Sequence, residues 1–177
     1  VLKQSIPPDK ILIVDNGTVH LDPSLFSGFT TQIESLKRAF DANPQAMFID
    51  ISGLKSELLD YVENFSELAK RFVATHPMAG RELDGAEGAQ SDLFVGKSWI
   101  ITPLPQTSGE SIALVKELIE KLGARVIAMS PEDHDAAVAA VSHLPQVISS
   151  LLAAQLEGKS PEHLALAGTG VLDTTRI

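Results

Sequence analysis

No cysteine occurs among the 177 residues, which removes disulfides, thiolate metal sites and cysteine nucleophiles together. Basic residues are scarce: 14 Lys and Arg stand against 23 Asp and Glu, a formal net charge of −9, and no basic run exceeds two residues. A nucleic-acid partner calls for a basic face, so none is expected. No apolar stretch is expected to approach the ~18 residues a membrane helix needs. No signal-peptide pattern opens the chain either. The expectation is a cytoplasmic protein without a membrane partner. The five histidines, at positions 20, 76, 134, 143 and 163, lack metal-ligand spacing, so no metal is expected. Walker-type loops and the GxSxG elbow are missing as well. Gly168 and Gly170 make only a GxG, after a helix instead of a strand, so the dinucleotide glycine fingerprint is absent from this chain.

What is present is a core. Apolar residues make up 44% of the chain, which is ample for packing and excludes disorder. Ile11–Asp15 and Thr18–Leu21 flank Asn16-Gly17, a two-residue hairpin signal. Thr31 can cap a helix carrying Ile33, Leu36 and Phe40. Met47–Ile51 reads as a buried strand, followed by a helix through Leu54, Leu58 and Val62, and then by a strand at Phe72–Thr75 stopped by Pro77. Past a loop rich in Gly and Asp comes a strand at Trp99–Thr102. Thr107 and Glu110, at capping-box spacing, open a helix with Ile112, Val115, Ile119 and Leu122 on one face. Gly123 ends it, and Arg125–Met129 is the next strand. Short apolar strands alternating with helices predict βαβ units and a mostly parallel sheet.

The pattern changes at Ser130-Pro131, an N-cap and a first-turn residue. From there to Gly158 the composition is helical, with a kink or break expected at Pro145. Ser160-Pro161 starts another helix. The division predicted is therefore residues 1–130, α/β, and residues 131–177, the start of an all-helical part. Val138, Val141, Leu144, Val147, Ile148, Leu151 and Leu152 make more than one apolar face, so a partner chain or further helices are expected to cover them. The chain begins at Val1 without an initiator methionine and stops at Ile177 as a helix starts; it reads as a fragment, or as a chain with trimmed ends.

Several residues could carry chemistry. His76 ends a strand, and Pro77 holds it extended. At the carboxyl end of a parallel strand a histidine can serve as general base, or it can simply hydrogen-bond to backbone. His134 and Asp135 lie in the first turn after the Ser130 cap. Ser142, Gln146 and Ser149 share one helix face, which is either a solvent side or the wall of a site. Arg176 is suited to a carboxylate ligand, or to a surface pair with Asp173.

Taken in order, these segments resemble one family. Thr75–Glu82, Leu93–Trp99, Thr102-Pro103, Gly123-Ala124, Met129–Asp135, Val141–Pro145 and Asp173–Ile177 are similar to the prephenate dehydrogenases, which include arogenate dehydrogenases. The likeness runs from about Met47 to Ile177. It implies part of a Rossmann-type dinucleotide-binding domain, followed by the start of a helical domain that dimerises. It also implies a cofactor, NAD or NADP, and an oxidative decarboxylation of prephenate or arogenate in tyrosine biosynthesis. By this resemblance His76 is the base, Arg176 binds the ring carboxylate, and Glu82 and Asp173 accompany that arginine. Ser142 and Gln146 lie on the substrate side, and Ser52, Gly53 and Lys55 on the cofactor side. Two positions depart from the family: Gly53 stands where a serine supports the histidine, and Gln146 where many members have a second histidine. The alternative is a catalytically inactive relative kept as a binding, regulatory or dimerisation module.

Overall fold

The computed structural model describes residues 11–14, 36–80 and 89–175. They include a five-stranded sheet: β1 (Ile11–Val14), β2 (Met47–Asp50), β3 (Phe72–Pro77), β4 (Ser98–Thr102) and β5 (Arg125–Ala128), in that spatial order. Three of the four pairings are parallel, as the alternation of strands and helices predicts. The pairing of β3 with β4 is antiparallel, with Ala74 opposite Thr102 and His76 opposite Ile100. The physical reason is the connection. A parallel crossover is usually made by a helix, and the sequence between Pro77 and Ser98 carries no helical pattern. Thr18–Leu21, the second arm of the expected hairpin, lies outside the described residues, and β1 pairs in parallel with β2.

Alternation along the strands sends side chains to two separate cores. Phe48, Phe72 and Ala74 pack on one face with Leu58, Leu59 and Val62 of α2 (Ser56–Glu63) and Leu68 and Ala69 of α3 (Ser66–Arg71). Leu36 of the helical segment 36–42, here α1, joins them. Met47, Ile49, Val73 and Ile101 face the other way, against Val115 and Ile119 of α4 (Gly109–Lys121). A strand buried on both faces reads as a continuous apolar run, which is why Met47–Ile51 and Phe72–Thr75 stand out in the sequence. The six-residue helix α3 was not separable from its neighbours, since it is too short to show periodicity.

The start of α4 corrects one expectation. Its cap is Ser108, whose hydroxyl accepts from the backbone N–H of Ser111. Thr107 Oγ1 instead donates to Phe72 O at 3.2 Å and accepts from Leu104 N, tying the loop to β3. The hydroxyl nearest a tertiary partner is taken from the capping box, and the next one caps.

Gly123 does end α4, in the left-handed region at φ +78°. A Cβ there would lie 3.1 Å from Val95 Cγ2. Gly123→Ala should therefore cost about 1–2 kcal/mol, from the left-handed backbone and the contact with Val95 together. Denaturant titration reads this directly; a variant as stable as the parent would contradict it.

Contacts divide the chain into two compact units, residues 1–134 and 135–177. In the helical part, α5 (Pro131–Val138) leads into a π-helical turn at Ala139–His143 and then α6 (Leu144–Leu156). This is how Pro145 is accommodated. The N–H of Leu144 bonds to Ala139 O, five residues back, so the widened turn makes room for the proline ring in the first turn of α6. The 26 residues of Pro131–Leu156 are by length and composition apolar enough to cross a membrane. This corrects the expectation that no apolar stretch approaches that length, because the helix reaches it with polar residues such as Ser142, Gln146 and Ser149 interspersed. Val141, Leu144, Val147, Ile148 and Leu151 on it are exposed, each at least half. Two further helices follow, α7 (Pro161–Leu164), capped by Ser160, and α8 (Thr169–Thr175).

Candidate active site

Strand order places the site. β2 and β3 run parallel, and their register ends at Asp50 opposite Ala74. His76 therefore projects two residues beyond that pair, at the carboxyl edge of the sheet, where ligands bind in open α/β folds. β3 runs through Pro77, which pairs with Trp99, instead of stopping before it as expected, and the N–H of Met78 bonds to Ser98 O at 2.8 Å, so the backbone carrying His76 is held against β4. Beneath it, Trp99 Nε1 donates to Thr75 Oγ1 at 2.9 Å and Thr75 Oγ1 donates to Asp50 O at 2.8 Å. These bonds link the ends of β4, β3 and β2.

The turn after β2 is built on a buried charge. Asp50 Oδ1 accepts from Ser52 N at 3.1 Å, Oδ2 lies 3.0 Å from Ser52 Oγ, and the Lys55 ammonium pairs with the same carboxylate. Lys55 also donates to Ser52 Oγ at 3.2 Å. Asp50 and Lys55 are fully buried. Burial pushes the Asp50 carboxyl above the ordinary carboxylate range, against the opposing pull of Lys55 and the Ser52 hydrogen bonds. Ser52 and Lys55, named as cofactor-side residues from the sequence, thus have their side chains turned toward Asp50. Their visible effect is to fold the turn that presents Gly53.

Gly53 faces the histidine. A Cβ at this position would lie 3.9 Å from His76 Cε1 and 4.0 Å from Nε2, ordinary contact distances, and its φ is outside the left-handed region. A serine fits there without strain, and its hydroxyl, both donor and acceptor, comes within reach of the ring. Gly53→Ser in the active protein should leave kcat unchanged or raise it by up to about tenfold, the worth of one hydrogen bond. A clear fall in kcat would show that this turn needs the bare glycine.

On its other side His76 meets a second histidine. Nδ1 of His76 lies 2.9 Å from Nε2 of His134, and the ring centroids are 5.1 Å apart at 61°. His76 is half-buried and His134 has no solvent exposure. Ser130 caps α5 through Asp133 N at 3.0 Å and accepts the His134 N–H on its carbonyl, fixing the first turn from which His134 projects. His134 was weighed in the sequence only as a first-turn residue. Its signal was the Pro131–Asp135 segment of the resemblance, which names the residue without saying what it touches.

Glu82 and Arg176 lie outside the described residues. Asp173 is exposed on α8. Ser142 is exposed in the π turn, and Gln146 is exposed on α6, where its Nε2 lies 3.5 Å from Ser150 Oγ. Ser149, expected on the same face, is buried, so that polar stripe is divided between two environments.

Comparison with known proteins gives a consistent result. Residues 30–128 match the family model for the prephenate dehydrogenase nucleotide-binding domain, and residues 130–177 match that for the prephenate dehydrogenase dimerization domain. Prephenate dehydrogenase of Bacillus subtilis is 30% identical over 136 residues, which are 75% of this chain and 37% of that protein. The crystal structure of the Aquifex aeolicus prephenate dehydrogenase in complex with hydroxyphenyl propionate and NAD+ superposes with a TM-score of 0.76 at 32% identity, covering 94% of this chain and 55% of that one. Arogenate dehydrogenase of Synechocystis gives a TM-score of 0.68 at 29% identity, with 94% and 57% covered. The chain spans well under half the length of the Bacillus relative. A strand-end histidine beside a buried acidic turn, on a sheet of this topology, with the first family model covering more than half of the sequence, leads to one conclusion: this chain belongs to the prephenate dehydrogenase family.

Proposed function

We propose that the protein containing this chain oxidises and decarboxylates prephenate or arogenate with NAD or NADP, in tyrosine biosynthesis in the cytoplasm. The observation that carries the reading is His76, half-buried at the carboxyl edge of β3 and packed between Gly53 and His134. The Aquifex relative, solved with NAD+ and a hydroxyphenyl ligand, supports the cofactor and the substrate class. The residues here fit the reactive end of such a cofactor. The turn at Asp50–Lys55 follows directly from β2, at the carboxyl ends of two parallel strands, where open α/β folds receive a ligand.

The cofactor, when bound, takes up hydride from the ring carbon that bears the hydroxyl. The protein's part is proton transfer and binding. As that carbon becomes a carbonyl carbon, His76 takes the hydroxyl proton. The ring carboxylate leaves as CO2, its bonding electrons enter the ring, and the carbonyl pair moves onto oxygen, which takes a proton back to give the phenol. Arg176 anchors that carboxylate by a charge-assisted contact, with Glu82 and Asp173 as its acidic companions. Ser142 and Gln146 line the substrate side. On the cofactor side, Ser52 and Lys55 act through the shape of the turn, and Gly53 is the position on that turn beside His76. Substrate-dependent formation of reduced nicotinamide, with stoichiometric CO2, tests the reading; a purified protein showing neither would favour an inactive binding relative.

The exposed apolar residues of α6 support a homodimer, in keeping with a dimerization-domain match over residues 130–177. Sedimentation should show a dimer, and Leu144→Asp should shift it toward monomer. A parent protein that stays monomeric at all concentrations would refute the homodimer.

A further inference from the structure

We infer that His134 is a positioning residue for His76, selecting the tautomer in which His76 can act as an acceptor. The inference rests on the base reading above. It starts from the 2.9 Å separation of His76 Nδ1 and His134 Nε2. A hydrogen bond between two imidazole nitrogens holds one proton: one nitrogen donates and the other supplies a lone pair. Two arrangements are possible. If His134 donates, Nδ1 of His76 is the acceptor and Nε2 carries the hydrogen. The side of the ring facing Gly53 is then a donor and cannot take a proton. If His76 donates from Nδ1, Nε2 holds the lone pair, on the edge that lies 4.0 Å from where a Cβ on Gly53 would stand. Only the second arrangement makes the Gly53 side basic. It requires that Nε2 of His134 be unprotonated and its hydrogen sit on Nδ1.

The setting favours this division of roles. His134 is fully buried on the first turn of α5, whose backbone is tied at His134 N to the Ser130 carbonyl. His76 is the half-buried ring of the two. When His76 takes up a proton, both of its nitrogens become donors, and the Nδ1–H still points at the His134 lone pair. The bond therefore survives the proton transfer, and the charge stays on the ring nearer to solvent, where it costs less. His134 holds the orientation of the base throughout the step without touching the reacting atoms. This is the part an orienting carboxylate or carbonyl plays behind other histidine bases.

Nitrogen-15 imidazole spectra of the neutral histidines report the tautomer directly and need no catalytic activity. The parent chain should show His76 as the Nδ1–H form. In His134→Phe, which keeps a ring but no lone pair, that preference should be lost. In the active protein the same variant should lose about 10- to 100-fold in kcat with KM little changed. His134→Gln, whose amide oxygen can accept the Nδ1–H, should recover most of the loss. A parent spectrum with His76 protonated on Nε2 overturns the inference, and so does an unchanged tautomer in a folded His134→Phe. Should that variant fail to fold, the parent spectrum still decides. Near-normal kcat in His76→Asn would instead defeat the base reading and leave the tautomer result standing, so the two failures are distinguishable.

Discussion

Replacement of His76 by asparagine should lower kcat by about two to four orders of magnitude and leave KM nearly unchanged. The range is that of a positioned general base removed from a reaction that needs one. Asparagine is of similar reach and remains polar, so the packing between Gly53 and His134 is disturbed little. It cannot take a proton, however, and the loss falls on the transition state rather than on binding. The acid limb of the kcat/KM profile, which reports protonation of the free enzyme's base, should vanish with it. Steady-state kinetics across pH checks both parts. A variant with near-normal kcat would remove His76 from the chemistry and favour the inactive-relative reading.

The second large effect is on stability. Lys55→Met should destabilise the α/β unit by about 3–5 kcal/mol at neutral pH, because it leaves the Asp50 charge buried without its cation. The pH dependence follows from the direction of the Asp50 shift. Burial holds its pKa above the unfolded value even with Lys55 present. The folded state therefore binds the proton more tightly. That contribution is fully present below the unfolded pKa and is lost as pH rises through the folded pKa. Removing Lys55 takes away a lowering influence, so the carboxyl moves up further. The deficit of the variant should accordingly be largest at neutral pH and narrow under acid conditions, as Asp50 becomes neutral. Urea unfolding at the two pH values measures this. A deficit below about 1 kcal/mol, or one indifferent to pH, would show that water or another group compensates the carboxylate. Replacing both partners by apolar residues should recover much of the loss, since the pair is more costly to break than to replace.

Much of the fold was legible beforehand. The buried runs at Met47–Ile51 and Phe72–Thr75 became β2 and β3, and the period of Ile112, Val115 and Ile119 became the inner face of α4, with Leu122 as its C-cap. Ser130 and Ser160 cap the helices they were expected to cap, and Gly123 takes the left-handed conformation that its place after a helix suggests. All are local signals, written within one or two turns of chain. Where the signal depended on a distant partner, it misled or fell silent. Thr107 was claimed by Phe72 O, 35 residues away, and Ser108 became the cap.

The site divides in the same way. Sequence alone singled out His76, because proline and strand end are local facts, and the ordered motifs identified the family. What tertiary structure decided was the surroundings of that histidine. Gly53 comes to it across a parallel strand pair, and His134 across 58 residues of chain. Ser52 and Lys55 are drawn away into a buried network on Asp50. Period and composition determine which residues are buried and which begin or end an element. Which buried groups meet is set by strand order and register, and these form only when the sheet closes.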